Sequence, residues 1–283
     1  MKKIPISKDF FIANRKNFID KLPTDSLAIF HSNDTFPRNG DQTFKFRQQS
    51  DLFYLTGIEQ EKTILLLYPD CPNPELREML FIIEPNESLK TWEGHKYSKK
   101  EAQDISGISK VKWIEQFEAV LTEVMSFAGK VFLNAIEYSK FSTDVPYRDL
   151  RFAKEIREKF PNHEYKRAAP LVYELRTIKS EEETRLIREA INLTGKAFER
   201  ILKFVKPGVT EYQVEAELTH EFIYQGAAGS AYHPIIASGE NACTLHYIEN
   251  SQVCEDGDLL LMDFGAEYGN YAAVLTRTIP VSV

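Results

Sequence analysis

Residues 259–281 read Leu259-Leu260-Leu261-Met262-Asp263-Phe264-Gly265-Ala266-Glu267-Tyr268-Gly269-Asn270-Tyr271-Ala272-Ala273-Val274-Leu275-Thr276-Arg277-Thr278-Ile279-Pro280-Val281. Two strand-like runs flank Gly269-Asn270, a two-residue turn signal, so the segment predicts a β-hairpin. Centring the hairpin on that turn puts Gly265 opposite Val274 and Asp263 opposite Thr276. Position 274 is then a same-face diagonal neighbour of Asp263, roughly 7–8 Å away at the backbone. Asp263 enters the sheet straight after Leu-Leu-Leu-Met, and an acid so placed needs a compensating partner. Valine at 274 suits a strand and offers no polar atom.

Two helices are predicted upstream of the hairpin. Ser180 followed by Glu183 is a capping box, and glutamates 181–183 suit the positive end of a helix. Ile187, Ala190, Ile191, Thr194, Ala197, Phe198, Ile201 and Val205 then recur at helical spacing, until Pro207-Gly208 stops the run. Thr210 and Gln213 form a second capping box, opening a helix to about Tyr224 with Val214, Leu218 and Phe222 on one stripe. Gly226 suits the left-handed residue beyond its end. Ile235-Ile236 is strand-like.

The first half alternates helix-like and strand-like segments. Ser7 is placed to cap a helix through about Leu22, with Phe11, Phe18 and Leu22 on one face. Leu27 to Phe30, Thr63 to Tyr68, Met79 to Ile83 and Val131 to Leu133 are short apolar runs bounded by turn formers, hence strands. Trp113 to Ala128 is helical. This is an α/β pattern. Composition turns polar over residues 161–170, which sets the expected domains at 1–165 and 166–283.

Charge and composition exclude several classes. Forty-two acidic residues against 35 basic ones leave a formal charge of -7, with no nucleic-acid footprint and no polybasic membrane patch. No stretch of eighteen apolar residues exists, so no transmembrane helix is expected. The N-terminus lacks the apolar run of a signal peptide. Cys71, Cys243 and Cys254 have no metal-type spacing, and three sparse cysteines suit a reducing cytoplasm. Nineteen Phe and 13 Tyr can fill sizeable cores.

Four segments carry a family resemblance. The first is Ser32-Asn33-Asp34-Thr35-Phe36-Pro37-Arg38-Asn39-Gly40-Asp41 running into Phe46-Arg47-Gln48-Gln49-Ser50-Asp51-Leu52-Phe53-Tyr54-Leu55-Thr56-Gly57. The second is Trp92-Glu93-Gly94, and the third runs from Leu175 to Glu183. The fourth is Tyr232-His233-Pro234-Ile235-Ile236-Ala237-Ser238-Gly239-Glu240-Asn241-Ala242-Cys243-Thr244-Leu245-His246-Tyr247. Together they resemble the Xaa-Pro aminopeptidase (aminopeptidase P) branch of the pita-bread metallopeptidases. The resemblance implies an aminopeptidase P-type α/β N-terminal domain followed by the first part of a pita-bread catalytic domain. It also implies release of the residue preceding proline from peptides, by water held between two divalent ions such as Mn²⁺.

By the same resemblance His246 is the catalytic histidine beside the metals, where an imidazole can hydrogen-bond developing charge. Trp92 and Tyr232 are the implied substrate contacts, although a structural role suits Trp92 equally. His31, His95, His163, His220 and His233 are read as structural. Of the family's two aspartates, one histidine and two glutamates, Asp263 matches the first aspartate. The second is expected at 274, two residues before Thr276-Arg277-Thr278, where valine stands. The other ligands are expected in sequence beyond Val283, so the chain reads as C-terminally truncated and inactive alone. A non-catalytic partner derived from the family, or the product of an incomplete gene, are the alternatives. A homo-oligomer is expected, with no nucleic-acid or membrane partner. The N-terminal domain is expected to be the more stable half.

Overall fold

The structure, a computed structural model, describes residues 4–282. Contacts divide it into two compact units, residues 6–178 and the residues from 179 onward, which Ile4 and Pro5 join.

The first unit opens with α1 (Lys8–Ile19), capped by the Ser7 hydroxyl, which accepts from the Asp9 N–H at 3.2 Å. The helix stops before the predicted Leu22, because Leu22 precedes Pro23 and that position disfavours helical backbone. The chain continues through β1 (Ser26–His31), β2 (Pro37–Asn39), β3 (Gln42–Thr43), α2 (Ser50–Thr56), β4 (Ile64–Leu67), β5 (Glu78–Ile82), α3 (Glu87–Glu93) and α4 (Lys99–Ser106). It then forms β6 (Val111–Trp113), α5 (Phe117–Met125), β7 (Lys130–Leu133), α6 (Arg148–Lys159), β8 (Glu164–Arg167) and α7 (Ala169–Thr177). The predicted helix from Trp113 begins as a 3₁₀ turn at Ile114–Gln116.

Six strands form one sheet in the order β6-β5-β4-β1-β7-β8, in which only β4 runs antiparallel to its neighbours. Both faces are covered. Ala28 and Phe30 enter one core with Phe11, Phe18 and Leu52, while Leu27 and Ile29 enter another with Phe117, Leu121 and Val124. Burial on both faces explains why these strands are continuous apolar runs. The polar stretch from Pro161 leads into β8, whose Glu164–Arg167 pair with Lys130–Leu133, and the contact boundary follows at Ile178.

Gln49 and Asp51, two polar residues of the segment from Ser32 to Gly57, are structural ties. Gln49 Oε1 caps α2 by accepting from the Asp51 and Leu52 N–H groups at 2.6 and 2.8 Å. Buried Asp51 accepts from Arg176 at 2.5 Å and from Asn134 at 3.1 Å. Each of these buried polar groups thereby regains a partner for the water it lost.

In the second unit α8 (Glu181–Phe204) starts with the predicted capping box. The Ser180 hydroxyl accepts from the Glu183 N–H at 3.3 Å, and Glu183 accepts from the Ser180 N–H at 2.9 Å. In α9 (Glu211–Tyr224) only half of the predicted box forms. Gln213 accepts from the Thr210 N–H at 2.9 Å, while the Thr210 hydroxyl has no hydrogen-bond partner. Gly226 has the expected left-handed φ of 87°.

The remaining strands are β9 (Gly229–Ser230), β10 (Ile235–Ser238), β11 (Leu259–Phe264), β12 (Ala266–Tyr268), β13 (Tyr271–Ala272) and β14 (Leu275–Pro280). They make two small sheets, β10-β11-β14 and β13-β12-β9. Leu260, Met262 and Phe264 face the helices and pack with Leu193, Ala197, Val214, Leu218 and Phe222. Burying Leu260, Met262 or Phe264 in this way contributes about 1.5–3 kcal/mol each. Among the described residues no helix is long and apolar enough to cross a membrane.

Candidate functional site

The hairpin register is as the turn signal requires. Tyr268 pairs with Tyr271, Glu267 with Ala272, Phe264 with Leu275 and Asp263 with Thr276. One register therefore runs through both sheets, with a break at Gly265. A Cβ built at Gly265 would lie 1.7 Å from the Ala273 carbonyl oxygen, so only glycine allows the strands to approach this closely. The Gly265 carbonyl accepts from the Ala231 N–H at 2.8 Å, and the chain there changes partners from β10 and β14 to β9 and β13. Val274 sits at this break and is 68% exposed.

Asp263 alternates with core-facing Met262 and Phe264, so it projects from the sheet face away from α8 and α9. Its partner is Tyr232, just before β10, whose hydroxyl donates to Asp263 Oδ1 at 2.5 Å. Burial and this hydrogen bond both push the Tyr232 phenol well above its usual range, so it stays a donor. The compensating group that an acid in this strand requires is thus a phenol. Nothing in the local spacing around Asp263 marks Tyr232 as that group.

His246 lies on an exposed turn after the 3₁₀ segment Gly239–Cys243, and makes no hydrogen bond or ring contact among the described residues. The loop around it is held by a group that sequence reasoning missed. Glu211, in the first turn of α9, is 0% exposed. Its carboxylate accepts from the Ser238 N–H at 2.7 Å and the Asn241 side chain at 3.1 Å. It also accepts from the Tyr247 hydroxyl at 2.7 Å and the Gln252 N–H at 2.9 Å. Burial and the bond to Glu211 push the Tyr247 phenol up. Asn250 adds a second clamp, donating to Glu215 at 2.8 Å and to the Pro234 carbonyl at 3.0 Å. The turn bearing His246 is therefore anchored on both sides. The signal was available only as a run of polar and aromatic residues in a loop, with the acid that satisfies them far away in sequence.

Of the four predicted site residues, Asp263 and Tyr232 are in direct contact, and His246 stands in the same unit on its anchored turn. Trp92 belongs to the first unit, in the last turn of α3, and is 83% exposed. A two-metal centre needs several converging carboxylate and imidazole donors. Asp263 is engaged by a phenol, position 274 carries only methyl groups, and among the described residues no three His, Cys, Asp or Glu side chains are grouped to hold a metal. This donor set does not fit two metal ions.

Two family models match the chain. The aminopeptidase P N-terminal domain matches residues 11–132, and metallopeptidase family M24 matches residues 185–283. The Xaa-Pro aminopeptidase of Escherichia coli (strain K12) is 30% identical over 281 residues, an alignment covering 98% of this chain and 63% of that protein. The Xaa-Pro aminopeptidase of Haemophilus influenzae is 29% identical, covering 100% of this chain and 62% of that protein. The structure of Pseudomonas aeruginosa aminopeptidase PepP superposes with a TM-score of 0.87 at 30% identity, covering 100% of this chain and 63% of that one. The chain spans somewhat under two thirds of the length of these relatives.

Proposed function

Because this chain belongs to the aminopeptidase P branch of metallopeptidase family M24, we propose that its second unit carries part of a site for removing the residue that precedes proline in a peptide. The 283-residue polypeptide does not itself catalyse that hydrolysis. The observation that carries this reading is Val274. By the strand register it is the diagonal neighbour of Asp263, where the family resemblance expects a second carboxylate, and Asp263 accepts a hydrogen bond from Tyr232. Replacing a carboxylate by an aliphatic side chain removes a ligand without offering another donor.

In this reading Asp263 is the retained metal ligand and His246 the group that meets the substrate carbonyl. Tyr232 and Trp92 are substrate contacts, and proline-containing peptides are the ligands. A homo-oligomer and a cytoplasmic location complete the proposal, and three free cysteines suit a reducing compartment. The test is turnover of an Xaa-Pro tripeptide by the purified chain with added Mn²⁺. No turnover is expected. Hydrolysis that scales with protein and disappears in Asp263→Asn contradicts the proposal.

A second reading, a non-catalytic partner, is supported by the match of residues 11–132 to the aminopeptidase P N-terminal domain in a chain that carries valine at position 274. Size-exclusion and pull-down with a full-length relative test it, and failure to associate counts against it.

A further inference from the structure

A cavity of about 930 Å³ in the first unit opens at the carboxyl edge of its parallel strands. The residues just past β1, β5 and β6 contribute Thr35, Ile83, Glu84, Ile114 and Glu115 to its lining. In open α/β sheets this edge is where ligands usually bind, and the volume lies in the range of roughly 300–1,000 Å³ typical of ligand pockets.

One wall is α3, which buries none of its residues. Its apolar side chains Leu89 and Trp92, one turn apart, both line the cavity. A helix ordinarily turns its apolar stripe to its own core. Here the stripe faces the cavity, and Trp92 remains 83% exposed.

Charge identifies the occupant. Five carboxylates line the cavity against Lys62 and Lys96. Lys96 is engaged by Glu61 and by Glu93, the latter at 3.0 Å. Glu84 and Glu115 have no salt-bridge partner among the described residues. A negative lining repels phosphates. Nor do three carboxylates group as a compact metal site among the described residues. Charge spread along an apolar wall suits a cation that is itself spread out. We propose that this cleft binds an extended basic peptide segment. Its arginine or lysine side chains meet Glu84 and Glu115, its apolar side chains lie on Leu89, and a cation sits over the Trp92 ring.

The test uses the full chain and a fluorescently labelled octapeptide of alternating arginine and leucine, with a glutamate–leucine octapeptide as control. Neither contains proline, and chelator is present throughout, so the outcome is independent of the metal-site reading. Saturable anisotropy is expected for the basic peptide alone. Affinity should fall at least about tenfold in the doubly substituted Glu84→Lys, Glu115→Lys chain, and by a similar factor in Trp92→Ala. Both variants change exposed or half-exposed side chains, and an unchanged melting curve shows that they fold. Equal binding of the acidic peptide, or unchanged affinity in the folded variants, overturns the proposal. So does a self-associated chain that dissociates on the Glu84→Lys change without ever binding peptide, since the occupant is then a second copy.

Discussion

Asp263, Val274 and Gly265 occupy a few ångströms of backbone and follow three different rules. Asp263 is an acid on a strand, and its cost is met by the Tyr232 hydroxyl at 2.5 Å. Val274 is an exposed aliphatic at the strand break, so its identity contributes little to folding. Val274→Asp is therefore expected to change stability by no more than about 0.5 kcal/mol in urea unfolding. It should also bring weak Mn²⁺ binding near Asp263, read as paramagnetic broadening of the signals around residue 263. A folded variant with no broadening contradicts the placement of residue 274 beside Asp263. Gly265 behaves oppositely, because an added methyl meets the Ala273 carbonyl. Gly265→Ala should cost at least about 1–3 kcal/mol, measured the same way. The strand register that brings position 274 diagonal to Asp263 was legible from the Gly269-Asn270 turn. The Tyr232 partner was not, because the contact joins residues 31 apart in sequence.

At the scale of elements, local chemistry carried the most. Ser180 and Glu183 marked the start of α8, and Gly269-Asn270 set the register that pairs Asp263 with Thr276. Both signals act within a few residues, which is why they survive into the structure. Thr210 shows the limit. Its backbone bridges to Val253, and only the Gln213 half of its box forms. The Glu211 clamp was equally illegible, since its donors run from Ser238 to Gln252. Glu211→Gln substitutes a donor for one acceptor oxygen amid four donors. A loss of about 1.5–3 kcal/mol is expected from hydrogen bonds to a charged group. Hydrogen exchange should accelerate most in residues 238–252. Exchange that rises evenly through the second unit would deny the clamp its local role.

On the scale of the molecule the two units differ in how their sheets are covered. The six-stranded sheet of the first unit has a large core on each face, whereas β10-β11-β14 has helices on one face and only a small cluster of Ile235, Ala237 and Tyr247 on the other. The second unit is therefore expected to open first. Limited proteolysis should cut beyond residue 178 before it cuts ahead of Pro161. The first unit also holds a pH-sensitive pair. His31 is 2% exposed, lies 3.5 Å from Asp149, and packs on Phe152. Burial drives the His31 pKa down despite Asp149. The unfolded chain thus takes up a proton that the folded chain refuses. The stability this histidine contributes is present above its unfolded value of 6.5 and is lost as pH falls toward the folded value. Burial raises the Asp149 pKa, which works in the opposite direction above its unfolded value of 3.8. Unfolding at about pH 7.5 and about pH 5.5 should show the wild type losing more stability than His31→Gln, by up to about 1.4 kcal/mol per pH unit. Equal losses contradict a neutral buried imidazole.

The central claim is that the donors around Asp263 do not make a two-metal centre in this polypeptide. Equilibrium dialysis of the intact chain against Mn²⁺, with bound metal counted per protein, tests it most directly. The prediction is no saturable uptake of two ions per chain at micromolar metal. Two tightly held ions, both lost in Asp263→Asn, would contradict it.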